Sequence, residues 1–177
     1  MAIKSTIYKV DLQVANIDTH YYAEHSLTIA RHSSETEERL MMRILAFALN
    51  ATDNLKFANG LTNPEEPELC LKDLTGSIQL WIDIGQPEEK SILKACGISN
   101  NVIIYSYKLK TRDWWGRASQ KLTRVKNLTI YNVDESAVKE MTKMTARSMS
   151  ILVTIQDGDI TVRDDHNEVI VEIEKLN

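Results

Sequence analysis

A chain of 177 residues that is 43% hydrophobic and 26% charged has the make-up of one globular domain, with enough apolar material to bury a core without staples. A formal net charge of -4 and a pI near 5.6 argue against broad electrostatic capture of nucleic acid, which needs a basic surface, and leave room only for a local basic patch. Cys70 and Cys96, without a CxxC or His-rich context, argue against a disulfide framework or zinc site, and the lack of a signal-peptide core or of the roughly 20 apolar residues of a bilayer span predicts a cytoplasmic protein that engages no membrane.

Residues 7–14 alternate Tyr8, Val10, Leu12 and Val14 with Lys9, Asp11 and Gln13, the period of a half-exposed strand. A second strand over 26–32 completes a hairpin. Ser34 and Glu37 form a capping box that opens a helix carrying Leu40, Met41, Ile44, Leu45, Ala48 and Leu49 to about Asn50. Residues 51–66 read as loop, punctuated by Asn59-Gly60 and Pro64. Strands follow over 68–71 and 77–84, separated by a turn at 74–76. Pro87 suits the first turn of a short helix that Gly97 stops. Beyond it come a strand over 102–107, a helix over 112–124 and a strand over 128–133. Asp134 then caps a helix with Val138, Met141 and Thr145 on one face. Strands over 149–155, 160–163 and 169–173 close the chain, the first two joined by Asp157-Gly158, a strong hairpin signal.

Three carboxylates fall where acids are costly. Glu38 precedes Met41, Met42 and Leu45 by three, four and seven residues, which stacks it over the apolar side of its helix. A buried carboxylate needs a partner, and Arg39 or Arg43 is the plain alternative to a metal. Asp83 shares a strand face with Gln79 and Trp81, opposite Ile78, Leu80, Ile82 and Ile84, and precedes Gly85 and a helix start. Ligands of open α/β sheets bind beyond strand ends, although an acid there also caps helices or faces water. Glu68 follows Pro67 at the head of a strand, within an acidic run of Glu65, Glu66 and Glu68 that reads equally as a solvated face.

Taken in order, a helix acid, Pro67-Glu68 leading a strand and Asp83-Ile84-Gly85 in the next resemble the PD-(D/E)XK nuclease superfamily. The chain as a whole resembles the YaeQ family of bacterial proteins. The segments that carry this likeness are Ile7-Tyr8-Lys9, Ala30-Arg31-His32-Ser33-Ser34-Glu35-Thr36, Glu66-Pro67-Glu68, Leu80-Trp81-Ile82-Asp83-Ile84-Gly85 and Thr154-Ile155-Gln156-Asp157-Gly158. The resemblance implies an α/β (α+β) fold in a single domain over 1–177. Its nuclease-like core of a mixed sheet flanked by helices would span about 34–147, with antiparallel strands from 3–32 and 148–176 forming an added sheet.

It also implies a catalytic site. Glu68 and Asp83 would ligate a cation directly, and Glu38 directly or through water. Oxygen ligands without His or Cys favour Mg²⁺ or Mn²⁺ over zinc. Gln79, on the face of Asp83, is a candidate for orienting water, whereas Trp81 is expected to fill core volume. Gly85 stands where the superfamily pattern has lysine. Lys94, then Lys90, are the substitutes from the following helix, each also readable as an ordinary surface lysine.

The four histidines, His20, His25, His32 and His166, have no ligand spacing. Trp114-Trp115 reads as core plus rim, and Arg112, Arg117, Lys121, Arg124 and Lys126 form the one plausible basic patch for nucleic acid. Two functional expectations follow. One is a metal-dependent phosphodiesterase of nuclease type. The other is a non-catalytic protein that keeps the fold and binds nucleic acid or a protein partner.

Overall fold

The computed structural model describes residues 4–58, 63 and 65–177, so residues 1–3 and the turn signals at Asn59-Gly60 and Pro64 lie outside the described residues. Contacts divide the chain into two compact units, Met1–Ala51 with Ser136–Glu172 and Thr52–Glu135 with Ile173–Asn177. The boundaries differ from the expected core and terminal sheet, because the helices near residues 40 and 138 group with the terminal strands.

In the first unit, alternation builds β1 (Ser5–Asn16), whose inward Tyr8, Val10, Leu12 and Val14 are buried. It pairs antiparallel along its whole length with β2 (Tyr21–His32), the expected hairpin. β2 begins five residues before the expected 26, since Tyr21, Ala23 and His25 continue the inward alternation. The sheet is completed by β8 (Ser148–Gln156), β9 (Asp159–Arg163) and β10 (Glu168–Val171), in the order β10-β9-β8-β1-β2. β8 lies parallel to β1, and the other pairings are antiparallel. At the tip of the β8–β9 hairpin, Asp157 (φ 53°) and Gly158 (φ 82°) adopt the doubly positive conformation that matches strand twist.

α1 (Glu37–Leu49) is buried continuously from Leu40 to Ala48, which makes it a core helix. Its cap is Thr36, not Ser34: the Thr36 hydroxyl accepts from the Arg39 amide at 3.2 Å, while Ser34 turns to His32 at 2.6 Å. Glu35, unremarked in the sequence, is buried and accepts from the Arg43 guanidinium at 3.3 Å, with the Ala30 carbonyl accepting from the same nitrogen at 3.1 Å. α4 (Glu135–Met141) passes into a turn of 3₁₀ helix at Thr142–Met144, which leaves Thr145 beyond the helix.

The second unit holds a six-stranded sheet of order β11-β7-β6-β5-β4-β3. Its strands are β3 (Leu55–Phe57), within the expected loop, β4 (Leu69–Lys72), β5 (Ile78–Ile84), β6 (Ser99–Ser106), β7 (Leu128–Val133) and β11 (Ile173–Lys175). β5, β6 and β7 are parallel, and the remaining pairings are antiparallel. The expected strand over 169–173 thus divides between β10 and β11, in different sheets.

The parallel strands are joined by α2 (Glu89–Ile98) and α3 (Thr111–Ala118). Both bury apolar residues on one sheet face: Ile92, Ala95, Ala118 and Leu122 pack with Trp81, Val102, Ile104, Leu128 and Ile130. Pro87 falls before the α2 cap, Glu88, and Gly97 lies inside the helix, so neither marks the boundary expected of it. α3 stops at Ala118 and continues as 3₁₀ helix, short of the expected residue 124. Ile78 also departs from expectation. A register shift sets Lys72 opposite Ile78 and Leu71 opposite Leu80, and this bulge turns Ile78 to the Trp81 side instead of the Leu80–Ile82 side.

Candidate functional site

The antiparallel pairing of β4 and β5 positions two of the three acids. Leu69 faces Ile82 and Cys70 faces Trp81, so Glu68, just ahead of β4, comes to the end of β5 that carries Asp83. The Glu68 amide donates to the Ile82 carbonyl at 2.9 Å, and its carbonyl accepts from Ala58 at 3.1 Å, which fixes the residue just ahead of β4. The Glu68 and Asp83 side chains are both half-buried. Asp83 is further oriented by Trp81, whose indole N–H donates to the Asp83 carboxylate at 2.8 Å; the ring itself is core, with 3% exposure.

Glu38 belongs to the first unit, in the opening turn of α1 beside Glu37, where negative charge complements the helix dipole. It is half-buried, and neither Arg39 nor Arg43 forms an ion pair with it among the described residues; Arg43 is paired with Glu35 instead. Among the described residues, no group of three or more His, Cys, Asp or Glu side chains lies close enough to hold a metal ion.

The remaining candidates are on the second unit. Gln79 sits at the other end of β5 from Asp83, where its amide donates to Asp73 at 2.9 Å and accepts from Asn100 at 2.6 Å. Lys94 is exposed and lies 3.0 Å from Glu65. Lys90, also exposed, is in the first turn of α2. Gly85 has φ of 106°, and its amide donates to the Tyr105 carbonyl at 2.9 Å. A Cβ there would meet nothing within 4 Å, so backbone conformation, and not space, calls for glycine.

Sequence reasoning missed a polar group at the carboxyl ends of the parallel strands. The Ser106 and Thr111 hydroxyls, both buried, lie 2.7 Å apart, and the Gln86 amide is 3.5 Å from each. The Thr111 hydroxyl donates to the Lys108 carbonyl at 2.6 Å, so the pair closes the β6–α3 turn. The apolar run Val102–Tyr107 gave no hint of it.

Of the basic patch, Arg112 is paired with Glu174 and Lys121 with Glu89, whereas Arg117, Arg124 and Lys126 are exposed. Trp114 and Trp115 are half-buried against the core, as core and rim residues, with the Trp114 indole donating to the Pro87 carbonyl at 3.2 Å. Both thiols are free and half-buried; burial pushes Cys96 up to about 11 and raises Cys70 as well, against the lowering pull of Lys72.

These features define an α+β protein with two mixed sheets and, among the described residues, four α-helices. The family model for the YaeQ protein matches residues 1–173, and the chain belongs to the YaeQ family. It is 37% identical to YaeQ of Escherichia coli (strain K12) over 174 residues, covering 98% of this chain and 96% of that one. YaeQ of Salmonella typhi is 36% identical over the same length and coverage. The crystal structure of YaeQ from Xanthomonas axonopodis pv. citri superimposes with a TM-score of 0.94 at 40% identity, covering 98% of this chain and 99% of that chain. YaeQ from Pseudomonas syringae gives 0.93 at 31% identity, covering 98% and 96%. Among the described residues, no helix is long and apolar enough to cross a membrane.

Proposed function

We propose that this YaeQ-family protein is a Mg²⁺- or Mn²⁺-dependent phosphodiesterase of PD-(D/E)XK nuclease type, with Glu68 and Asp83 as the metal-binding pair. The observation that supports the reading is the backbone bond from Glu68 to Ile82, which holds Glu68 at the end of β5 that carries Asp83, with Asp83 bonded by the Trp81 indole. Mg²⁺ commonly takes one or two protein carboxylates and completes its shell with water and substrate phosphate, so a pair of acids fits the ion. When bound, such a cation supplies charge against the phosphate and lowers the pKa of a water near it.

The chain's own residues do the rest. Trp81 fixes one carboxylate oxygen of Asp83 and closes the apolar side of the site. Of the two α2 lysines, Lys90 forms no ion pair among the described residues and Lys94 lies 3.0 Å from Glu65 in an exposed contact, so Lys90 is tried first and Lys94 second. Gln79, committed to the Asp73 turn, is left out of the proposed machinery. Glu38 is assigned no step and is tested by its own variant.

The test is cleavage of single- and double-stranded DNA and RNA by the purified protein with Mg²⁺ or Mn²⁺, alongside Mn²⁺ binding measured by electron paramagnetic resonance. Asp83→Asn and Glu68→Gln are expected to lose cleavage at least about 100-fold, and Mn²⁺ binding with it, as for loss of a metal ligand. Cleavage that persists in Asp83→Asn refutes the assignment. Gly85 in place of lysine favours a second reading, a non-catalytic relative that binds nucleic acid or a protein partner. Mn²⁺ binding without turnover on any substrate, together with retained nucleic-acid or protein capture, supports that one.

A further inference from the structure

Among the described residues the two sheets have four edge strands, and three of them are blunted. β10 is four residues long and opens with Glu168, β3 is three residues with Lys56 at its centre, and β11 is three residues ending in Glu174 and Lys175. Short, charged edges of this kind refuse further strands. β2 is different. It runs for twelve residues, holds neither proline nor lysine, and pairs with β1 from end to end without a bulge. A long, regular edge left open is a template for another strand.

Three backbone carbonyls show which groups of β2 are open. The Arg147 carbonyl accepts from the Lys9 amide at 2.8 Å, so the odd residues of β1 turn to β8 and the even ones to β2. In the β1–β2 register the even residues of β1 face the odd residues of β2, which are thereby used. The even residues of β2 point away from the sheet. Accordingly the Ala30 carbonyl accepts from Arg43 at 3.1 Å and the His32 carbonyl from the Glu35 amide at 2.9 Å, and these two contacts close one end of the edge. Along the rest, the amides and carbonyls of Tyr22, Glu24, Ser26 and Thr28 have no partner among the described residues, and the four side chains are exposed.

We propose that a second copy of this chain occupies this edge, β2 against β2 and antiparallel, about a two-fold axis at His25. The open groups choose the register. Four residues spaced evenly about position 25 all satisfy one another only when Tyr22 faces Thr28 and Glu24 faces Ser26 of the other copy. A shift one way sets Glu24 opposite its own copy, a like-charge pair. A shift the other way sets Tyr22 opposite Ala30, whose carbonyl Arg43 already holds. The register that remains puts an aromatic ring against a β-branched side chain and a carboxylate against a hydroxyl, and on the inner face it matches Ala23 with Leu27. Two five-stranded sheets thus become one. The inference does not rest on the metal-binding reading, because neither Glu68 nor Asp83 takes part in it.

The test is the mass of the full-length protein by sedimentation equilibrium at pH 8, up to about 100 µM, where small interfaces assemble. Twice the chain mass of 20.2 kDa is expected. Ser26→Pro removes an outward amide hydrogen, which a lone edge strand tolerates, and should weaken the dimer at least about tenfold, since two symmetry-related bonds are lost. His25→Cys reports the register independently. The two copies meet there as a non-hydrogen-bonded pair with Cα atoms about 4.5 Å apart, so diamide oxidation should link them by a disulfide. Thr28→Cys, whose copies would lie about 20 Å apart along the strands, should stay unlinked, as should the unsubstituted chain with its half-buried Cys70 and Cys96. A single-chain mass throughout, a dimer unmoved by a folded Ser26→Pro variant, or linkage at position 28 as ready as at 25 would each overturn the proposal. Should circular dichroism show Ser26→Pro unfolded, the mass and the two cysteine variants decide.

Discussion

Replacing Glu35 with alanine removes both carboxylate oxygens that face the Arg43 guanidinium at 3.3 Å, in a pair whose side chains are only 2% and 4% exposed. The arginine keeps the Ala30 carbonyl at 3.1 Å, so its desolvation is offset in part. Breaking a buried pair from one side typically costs 3–5 kcal/mol; the long contacts and the surviving bond put this case at the lower end, about 3 kcal/mol. The backbone of Glu35 stays anchored in the variant, because its carbonyl still accepts from Arg31 and its amide still donates to His32. With a urea slope of about 2 kcal/mol per molar for a chain of this size, the unfolding midpoint should fall by roughly 1.5 M.

A companion variant separates charge from packing. Glu35→Leu with Arg43→Met exchanges the pair for apolar side chains of similar volume, and such exchanges are often neutral or stabilising. The double variant should recover most of the lost midpoint, as followed by far-ultraviolet circular dichroism. A drop of less than about 0.3 M in Glu35→Ala, on the same slope, would refute the idea that this pair secures the entry to α1.

Two other outcomes are expected. The exposed Asp18 carboxylate accepts from the Asp157 and Gly158 amides at 2.6 and 2.9 Å, tying the β1–β2 turn to the β8–β9 tip; Asp18→Ala should cost about 1–2 kcal/mol and speed hydrogen exchange at Gly158, and unchanged exchange would dismiss the tie. Asp73 is held below the ordinary carboxylate range, chiefly by the Thr75 hydroxyl and then by the Ser77 and Thr75 amides and Gln79. Since the folded pKa is the lower one, the ionised turn is stabilised at neutral pH and loses that stabilisation as pH falls through the unfolded and then the folded value. A carboxyl-carbon titration by NMR that places Asp73 at or above an ordinary aspartate would contradict this.

Legibility in the sequence followed the range of the interactions involved. β7 falls where its residues predict, and the Asp157-Gly158 hairpin forms as its two residues require, because period-two alternation and turn chemistry are local. The α1 cap moved from Ser34 to Thr36 because His32 competes for Ser34, a contact between neighbours that no capping rule contains. The Ile78 error has a similar root. Alternation assumes an unbroken pleat, and one bulge reverses the face of everything on its far side. The parallel pairing of β1 with β8 joins segments more than a hundred residues apart, and nothing in either strand announces its partner. Glu35 could have been found: Arg43 is the lone charge inside the Leu40–Leu49 stretch, and a buried arginine asks for an acid nearby.

The candidate acids and the two α2 lysines can all be named from the sequence, and Gly85 marks where the strand departs from the superfamily pattern. An acid and a lysine two residues apart on a straight strand present both side chains to one face. Here the chain leaves β5 through Gly85 at φ of 106°, and the open space around its Cβ position shows that no neighbour forbids a side chain. The obstacle is the backbone, where a lysine would carry strain of about 1–3 kcal/mol. The same turn delivers the chain through Gln86 to the start of α2, so the conformation that removes the strand lysine also brings Lys90 into the first turn of the helix that follows. The pair of Lys94 with Glu65 is an exposed contact worth little, so it does not remove that lysine from service either. Under the proposed function, the decisive question is whether an α2 ammonium group reaches Asp83, with Gly85 weighing toward the non-catalytic reading.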